Sequence, residues 1–163
     1  MTSDQAEYVK VRFALERDAD GWPPAGSEGL WAVDLGDGLV RIDNNPWFAR
    51  NVAAGDVVRT STDDDGVLWF AEKVEWSGNC AIRVVPFAKG ALAGSRQAVI
   101  DLFAPLGVDG EGIEQFGMVS LGVPPEADLP RVKGLLVRGV SEGWWDYEEG
   151  CIGDTWAEVE LAE

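Results

Sequence analysis

Leu30-Trp31-Ala32-Val33-Asp34-Leu35-Gly36-Asp37-Gly38-Leu39-Val40-Arg41-Ile42-Asp43 decides how the first half of the chain is read. Two short runs rich in branched and aromatic residues flank Gly36-Asp37-Gly38, whose glycines accept φ > 0, so the stretch reads as a hairpin. Upstream, residues 8–15 alternate. Val9, Val11, Phe13 and Leu15 share one side and Lys10 and Arg12 the other, as a half-buried strand requires. Downstream, Gly55-Asp56 precedes Val57-Val58-Arg59, and Asp63-Asp64-Asp65-Gly66 separates that run from Val67-Leu68-Trp69-Phe70. The meander continues through Lys73-Val74-Glu75-Trp76, turns at Ser77-Gly78-Asn79 and returns as Ala81-Ile82-Arg83-Val84-Val85. Five or six short strands with such close turns predict a small antiparallel β-barrel module, placed over residues 1–88.

The period then changes. Ser95 is an N-cap for a helix carrying Val99, Leu102, Phe103 and Leu106 on one face, with Gly107 as its stop. Residues 113–123 read as one strand ending at Pro124-Pro125. Asp128 caps a second helix, with Pro130 in its first turn and Val132, Leu135 and Leu136 on one face. Gly143 ends it, and residues 144–152 form a last strand. The order β-α-β-α-β predicts a ferredoxin-like module over residues 89–163, with two helices on one sheet face. The expected fold class is therefore α+β. Residues 86–94 read as the linker, with one continuous domain as the alternative.

Composition bounds the chemistry. The 163 residues contain no histidine, which excludes Ser-His-Asp and Cys-His nucleophilic catalysis, His-ligated zinc and an imidazole proton shuttle. Cys80 and Cys151 stand far apart, which makes a poor zinc or iron–sulfur site. Gly36-Asp37-Gly38 and the glycines of residues 107–112 read as turns rather than phosphate loops. No metal or cofactor is expected. With no apolar run long enough for a membrane span and no leader in Met1-Thr2-Ser3-Asp4-Gln5, a cytoplasmic location is expected.

There are 29 acids against 13 bases, a formal charge of −16. Such a field repels nucleic-acid phosphates and anionic lipid, so neither is an expected partner. After Arg138 no base remains, while Glu142, Asp146, Glu148, Glu149, Asp154, Glu158, Glu160 and Glu163 do. Half the net charge sits in that final run. Solubility alone explains an acidic surface; a basic protein partner steered by the field is the sharper reading.

Three segments carry candidate binding residues. Trp144-Trp145-Asp146-Tyr147-Glu148-Glu149 sets Trp145, Tyr147 and Glu149 on one strand face, and aromatic faces with carboxylates suit a cationic group. The competing reading makes these aromatics packing residues. Asp20-Gly21-Trp22-Pro23-Pro24 and Asn44-Asn45-Pro46-Trp47-Phe48-Ala49-Arg50 read as loops. Trp22 and Trp47 either cover the barrel or frame a groove with Asp20, Asn45 and Arg50 as its polar groups. Asp63, Asp64 and Asp65 read as a solvated hairpin tip. Cys80 and Cys151 read as buried small residues rather than nucleophiles.

These segments carry a resemblance. Val9-Lys10-Val11-Arg12-Phe13, Asp20-Gly21-Trp22-Pro23-Pro24, Glu28-Gly29-Leu30-Trp31-Ala32, Leu35-Gly36-Asp37-Gly38 and Pro46-Trp47-Phe48-Ala49-Arg50, together with Gly55-Asp56-Val57-Val58, Ser77-Gly78, Val123-Pro124-Pro125-Glu126-Ala127-Asp128 and Trp145-Asp146-Tyr147-Glu148-Glu149-Gly150-Cys151, resemble in order and spacing the bacterial domain-of-unknown-function family 4265, frequent in actinobacteria. One departure is Asn79-Cys80, where the family pattern often has His before a small residue. The resemblance implies relatives and no reaction. The expected function is a non-catalytic binding protein that uses its acidic surface on a basic partner. The alternative is a small enzyme or small-molecule-binding protein with a carboxylate- and Trp-lined cleft between the modules.

Overall fold

The computed structural model describes residues 7–159. Residues 1–5 and the acids Glu160 and Glu163 of the sequence argument lie outside them. The chain packs as two units, Met1–Ser77 and Gly78–Glu163.

The first unit contains β1 (Tyr8–Ala14), β2 (Ser27–Gly36), β3 (Leu39–Ile42), β4 (Val57–Thr62) and β5 (Leu68–Glu75) in a closed barrel. Successive strands pair antiparallel, and β1 closes the ring against β5 in parallel, with Val11 opposite Leu68. The ring is antiparallel, as the sequence predicts, at every step but this closing seam. An up-and-down ring with an odd number of strands returns its last strand in the direction of its first. The period-2 positions meet inside: Val11, Phe13, Leu30, Ala32, Val40, Ile42 and Val58 form one buried cluster. Phe13 stacks on Phe70 with ring centroids 4.9 Å apart. At the β2–β3 turn, Gly36, Asp37 and Gly38 all have positive φ, of 87°, 57° and 78°. A branched side chain there would clash with its own backbone.

The three adjacent aspartates form a structural turn. Asp63 Oδ1 accepts the N–H groups of Asp65 and Val67 at 2.8 and 2.9 Å, and Oδ2 accepts Trp69 Nε1 at 2.9 Å. The Trp69 indole, then the Val67 amide, holds the Asp63 carboxyl below its usual value, with the Asp65 amide adding less. A depressed folded-state pKa gives stability that is complete above the ordinary value of 3.8 and lost as pH falls through the lower one. Asp63→Ala is accordingly expected to remove a share of the acid sensitivity of unfolding. Urea titrations of both proteins between pH 6 and pH 2 check this; parallel pH profiles would contradict it.

The second unit contains β6 (Cys80–Pro86), α1 (Arg96–Phe103), β7 (Asp109–Ile113), β8 (Met118–Val123), α2 (Leu129–Ser141), β9 (Trp145–Cys151) and α3 (Asp154–Ala157). Its sheet runs β7-β8-β6-β9, and every neighbouring pair is antiparallel. Two expectations are corrected. Ala81-Ile82-Arg83-Val84-Val85 does not return into the barrel: it belongs to β6, paired on both sides by β8 and β9. Residues 86–94, expected as a linker, therefore join β6 to α1 inside this unit.

The strand expected over residues 113–123 is shorter, β8 alone, and an unexpected strand, β7, precedes it, so the order is β-α-β-β-α-β rather than β-α-β-α-β. Strand β7, Asp109-Gly110-Glu111-Gly112-Ile113, has no alternation to betray it. Its glycines are there for space. A Cβ on Gly110 would lie 3.0 Å from Ile100 Cγ1, and one on Gly112 would lie 3.0 Å from Arg96 Cβ, both on α1. Both helix starts agree with the sequence. Ser95 Oγ accepts Ala98 N–H at 3.1 Å and Asp128 Oδ1 accepts Arg131 N–H at 3.3 Å. Val99 and Phe103 of α1 and Val132 and Leu136 of α2 join one buried cluster with Ile82, Val84, Val119, Leu121 and Trp145.

Candidate functional site

In the first unit the loop after β3 is held by a carboxylate, and the loop after β1 meets it. Glu28, on β2, is in phase with Leu30 and Ala32 and so points inward; it is buried. Its Oε1 accepts the N–H groups of Phe48 and Ala49 at 2.9 and 2.8 Å, and its Oε2 accepts Trp47 N–H. Three successive backbone donors thereby share one charge, an arrangement that fixes the loop as a cap fixes a helix start. The Trp22 ring then stands edge-on to Phe48, with centroids 5.4 Å apart and an interplanar angle of 80°. Trp22 and the Trp47–Arg50 loop are therefore brought together, as a groove would need. Asp20 is exposed, and its N–H donates to Asp18 Oδ1 within the turn that also receives Trp22 N–H. Arg50 is exposed. Asn45 Oδ1 is buried with no hydrogen-bond partner among the described residues.

Glu28 was not singled out by sequence reasoning, although its signal was present. An acid at a core-facing position of a period-2 strand must find donors or cost several kcal/mol. A second buried acid is Asp56, in the connection just before β4, which accepts Ala53 and Ser77 N–H groups at 2.9 and 2.8 Å and pairs with Lys73 Nζ at 3.2 Å.

In the second unit the aromatic–acid segment braces the fold. Trp145 is fully buried, its Nε1 donates to Leu136 O at 3.0 Å, and its ring fills the space a side chain on Gly139 would need. Tyr147 packs partly buried against the same core. Burial, followed by the charges of Glu149 and Asp146, pushes its phenol above the usual value. Glu149 is exposed and accepts the indole N–H of Trp156, while Lys133 Nζ donates to Trp156 O at 3.0 Å and lies 5.6 Å from its ring centroid. Arg138 lies 5.4 Å from the Trp144 ring centroid. The cations facing these rings are the protein's own. Arg83, another residue the sequence did not flag, is buried, pairs with Glu148 at 3.0 Å and lies across Gly150, where a Cβ would meet its Nη2 at 2.7 Å.

Both cysteines are free and buried. Burial first, with the Glu149 charge adding to it, raises the Cys80 thiol above its usual value. Native protein at pH 8 is expected to react slowly with a thiol-specific disulfide reagent and to expose two thiols in denaturant. Rapid native reaction would overturn the packing reading of both residues.

Among the described residues no group of three or more Cys, Asp or Glu side chains is placed to hold a metal ion. No helix among them is long and apolar enough to cross a membrane. An open recess of about 380 Å³ lies at the start of α1, lined by Gly94, Ser95, Arg96, Gln97, Ile100 and Gly112. None of the eight candidate residues lines it.

These features define a mixed α+β protein with a five-stranded ring-like sheet, a four-stranded antiparallel sheet and a few short helices. A family model described as a domain of unknown function (DUF4265) matches residues 28–147, and the chain belongs to that family. No curated protein matches it. Its fold is similar to a crystal structure of a hypothetical protein from Neisseria gonorrhoeae, with a TM-score of 0.75 and 22% identity over 91% of this chain and 98% of that one.

Proposed function

We propose that the protein is a non-catalytic, cytoplasmic binding protein that engages a basic protein partner through its acidic surface. The observation that carries this reading is the run after Arg138. Of its described acids, Glu148 pairs with Arg83, whereas Glu142, Asp146, Asp154 and Glu158 are exposed in a stretch without a base. Carboxylates left in solvent without cations are free to steer and hold a cationic surface, with strong salt dependence. The structural employment of Glu28, Asp56, Arg83 and Glu149 supports the non-catalytic part: these groups are spent on backbone donors, ion pairs and an indole. For the second unit, the β-α-β-β-α-β order supports a ferredoxin-like arrangement.

The test is affinity capture from a native lysate at low and high salt, with the chain and with a variant carrying Asp154→Lys and Glu158→Lys. Basic proteins retained at low salt, released by salt and lost by the variant are expected. Capture that the variant leaves unchanged would remove this run as the surface.

A further inference from the structure

The outer surface of the first unit carries a patch of the opposite sign. Pairing sets Tyr8 opposite Val33, Lys10 opposite Trp31 and Arg12 opposite Gly29 across β1 and β2, and Val33 opposite Arg41 on β3. Alternate residues of a strand share a face, and Val11, Leu30 and Val40 fill the interior. Tyr8, Lys10, Arg12, Trp31 and Arg41 therefore stand together on the outside. Tyr8 is 54% exposed and Trp31 48%, unusual for rings of that size without a covering partner. Lys10 Nζ lies 5.0 Å from the Trp31 ring centroid.

Gly29 is the shelf of this patch. Lys10 Cε and Arg12 Nη1 lie 2.8 and 2.9 Å from the point a Cβ on residue 29 would occupy. The Lys10 stem and the Arg12 guanidinium thus pass over one residue, and an anion placed there would relieve the repulsion between the two cations. Among the described residues, no carboxylate lies within ion-pair distance of Lys10, Arg12 or Arg41. In a chain with 29 acids and 13 bases, three cations without a carboxylate beside two exposed rings form a receptor for one.

We propose that this face docks the acidic C-terminal run of a second copy of the chain. That run offers what the face lacks. Asp154 and Glu158 are exposed on and beside α3, and Ile152, 40% exposed, supplies an apolar group for Trp31 and Tyr8. The run is also held in shape, because Trp156 is buried beneath it and its indole N–H is bonded to Glu149. Each copy carries a charge of −16, so the copies repel at long range. At physiological salt that repulsion is screened beyond about 8 Å, whereas the docked pairs are in contact. The inference rests on the run being a docking surface but names a different occupant for it.

Sedimentation velocity of the full chain over a wide concentration range tests it. The average mass is expected to rise with concentration at about 0.15 M salt. It should rise less at about 0.01 M, where repulsion reaches about 30 Å, and at about 1 M, where the contacts are screened. Lys10→Glu with Arg12→Glu is expected to raise the self-dissociation constant at least about tenfold, and Asp154→Lys with Glu158→Lys to do the same. An equimolar mixture of the two variants should associate again, because each supplies the sign the other lacks. Circular dichroism of both variants checks that they are folded. Gly29→Ala, which leaves every charge in place, is expected to weaken association by displacing Lys10 and Arg12. A chain that stays monomeric at every salt, or variant mixtures that fail to associate, would overturn the proposal. So would a single-stranded oligonucleotide that binds the chain and is lost with Lys10→Glu and Arg12→Glu, since the occupant would then be a nucleic acid. A chain that captures basic lysate proteins yet never self-associates sinks this inference alone. Self-association without such capture sinks the foreign-partner reading alone.

Discussion

Trp145→Ala is expected to destabilise the second unit by about 3–5 kcal/mol, the range for removing a large aromatic from a packed core. The residue combines three roles. Its ring packs against Phe103 with centroids 5.6 Å apart, its indole N–H satisfies the Leu136 carbonyl, and Gly139 exists to admit it. Truncation leaves a cavity that the α2 backbone cannot fill without breaking its own hydrogen bonds. Trp145→Phe keeps most of the volume but loses the indole donor, so a smaller loss of about 1–2 kcal/mol is expected. Gly139→Ala attacks the same contact from the other side and should cost about 1–3 kcal/mol by overpacking. Urea unfolding followed by circular dichroism measures all three. A Trp145→Ala loss below about 1 kcal/mol would return the residue to the list of binding candidates.

Glu28→Ala is expected to cost about 3–4 kcal/mol, because it strands the amides of Trp47, Phe48 and Ala49 while removing the charge that holds them. Glu28→Gln retains one acceptor oxygen but turns an NH2 group toward those donors, so it should recover only part of the loss. Amide hydrogen exchange separates this from a general weakening: protection should fall first at Phe48 and Ala49, ahead of barrel positions such as Val11 and Val58. If the barrel amides lose protection in step with the loop, Glu28 is a core residue rather than the anchor of the loop that presents Trp47.

Most elements were legible because their residues obey one period. Alternation in residues 8–15 and in the Leu30–Asp43 hairpin marked the first strands, and Ser95 and Asp128 marked the helix starts. The failures have physical causes. Val57-Val58-Arg59 and Ala81-Ile82-Arg83-Val84-Val85 look alike as local patterns, yet one lies in the ring and the other in the centre of a different sheet. Register partners far along the chain decided that, and a local pattern does not contain them. Strand β7 was hidden because packing against α1 demanded glycine where a strand signal would put branched residues. Of the candidate binding residues, Trp47 belongs to the loop that Glu28 anchors, and Trp22 packs against that loop through Phe48. Trp145 belongs to the core. An aromatic at alternating spacing reads the same whether it faces a helix or a ligand. The charge reading missed Lys10 and Arg12 because a net sum hides a local patch of opposite sign.

The parallel seam between β1 and β5 has a consequence for synthesis. A ribosome releases β1 first, but its closing partner around Leu68 emerges only after every other strand of the ring. Until then the early strands form an open ribbon with two unsatisfied edges, and closing the long intervening segment carries an entropic cost that local hairpins do not. The nascent ring is thus most vulnerable to mispairing just before its last strand leaves the exit tunnel. A pause while residues 57–67 are outside the tunnel and β5 is still within it would lengthen that exposure, while one after residue 75 has emerged would let the ring close before β6 appears.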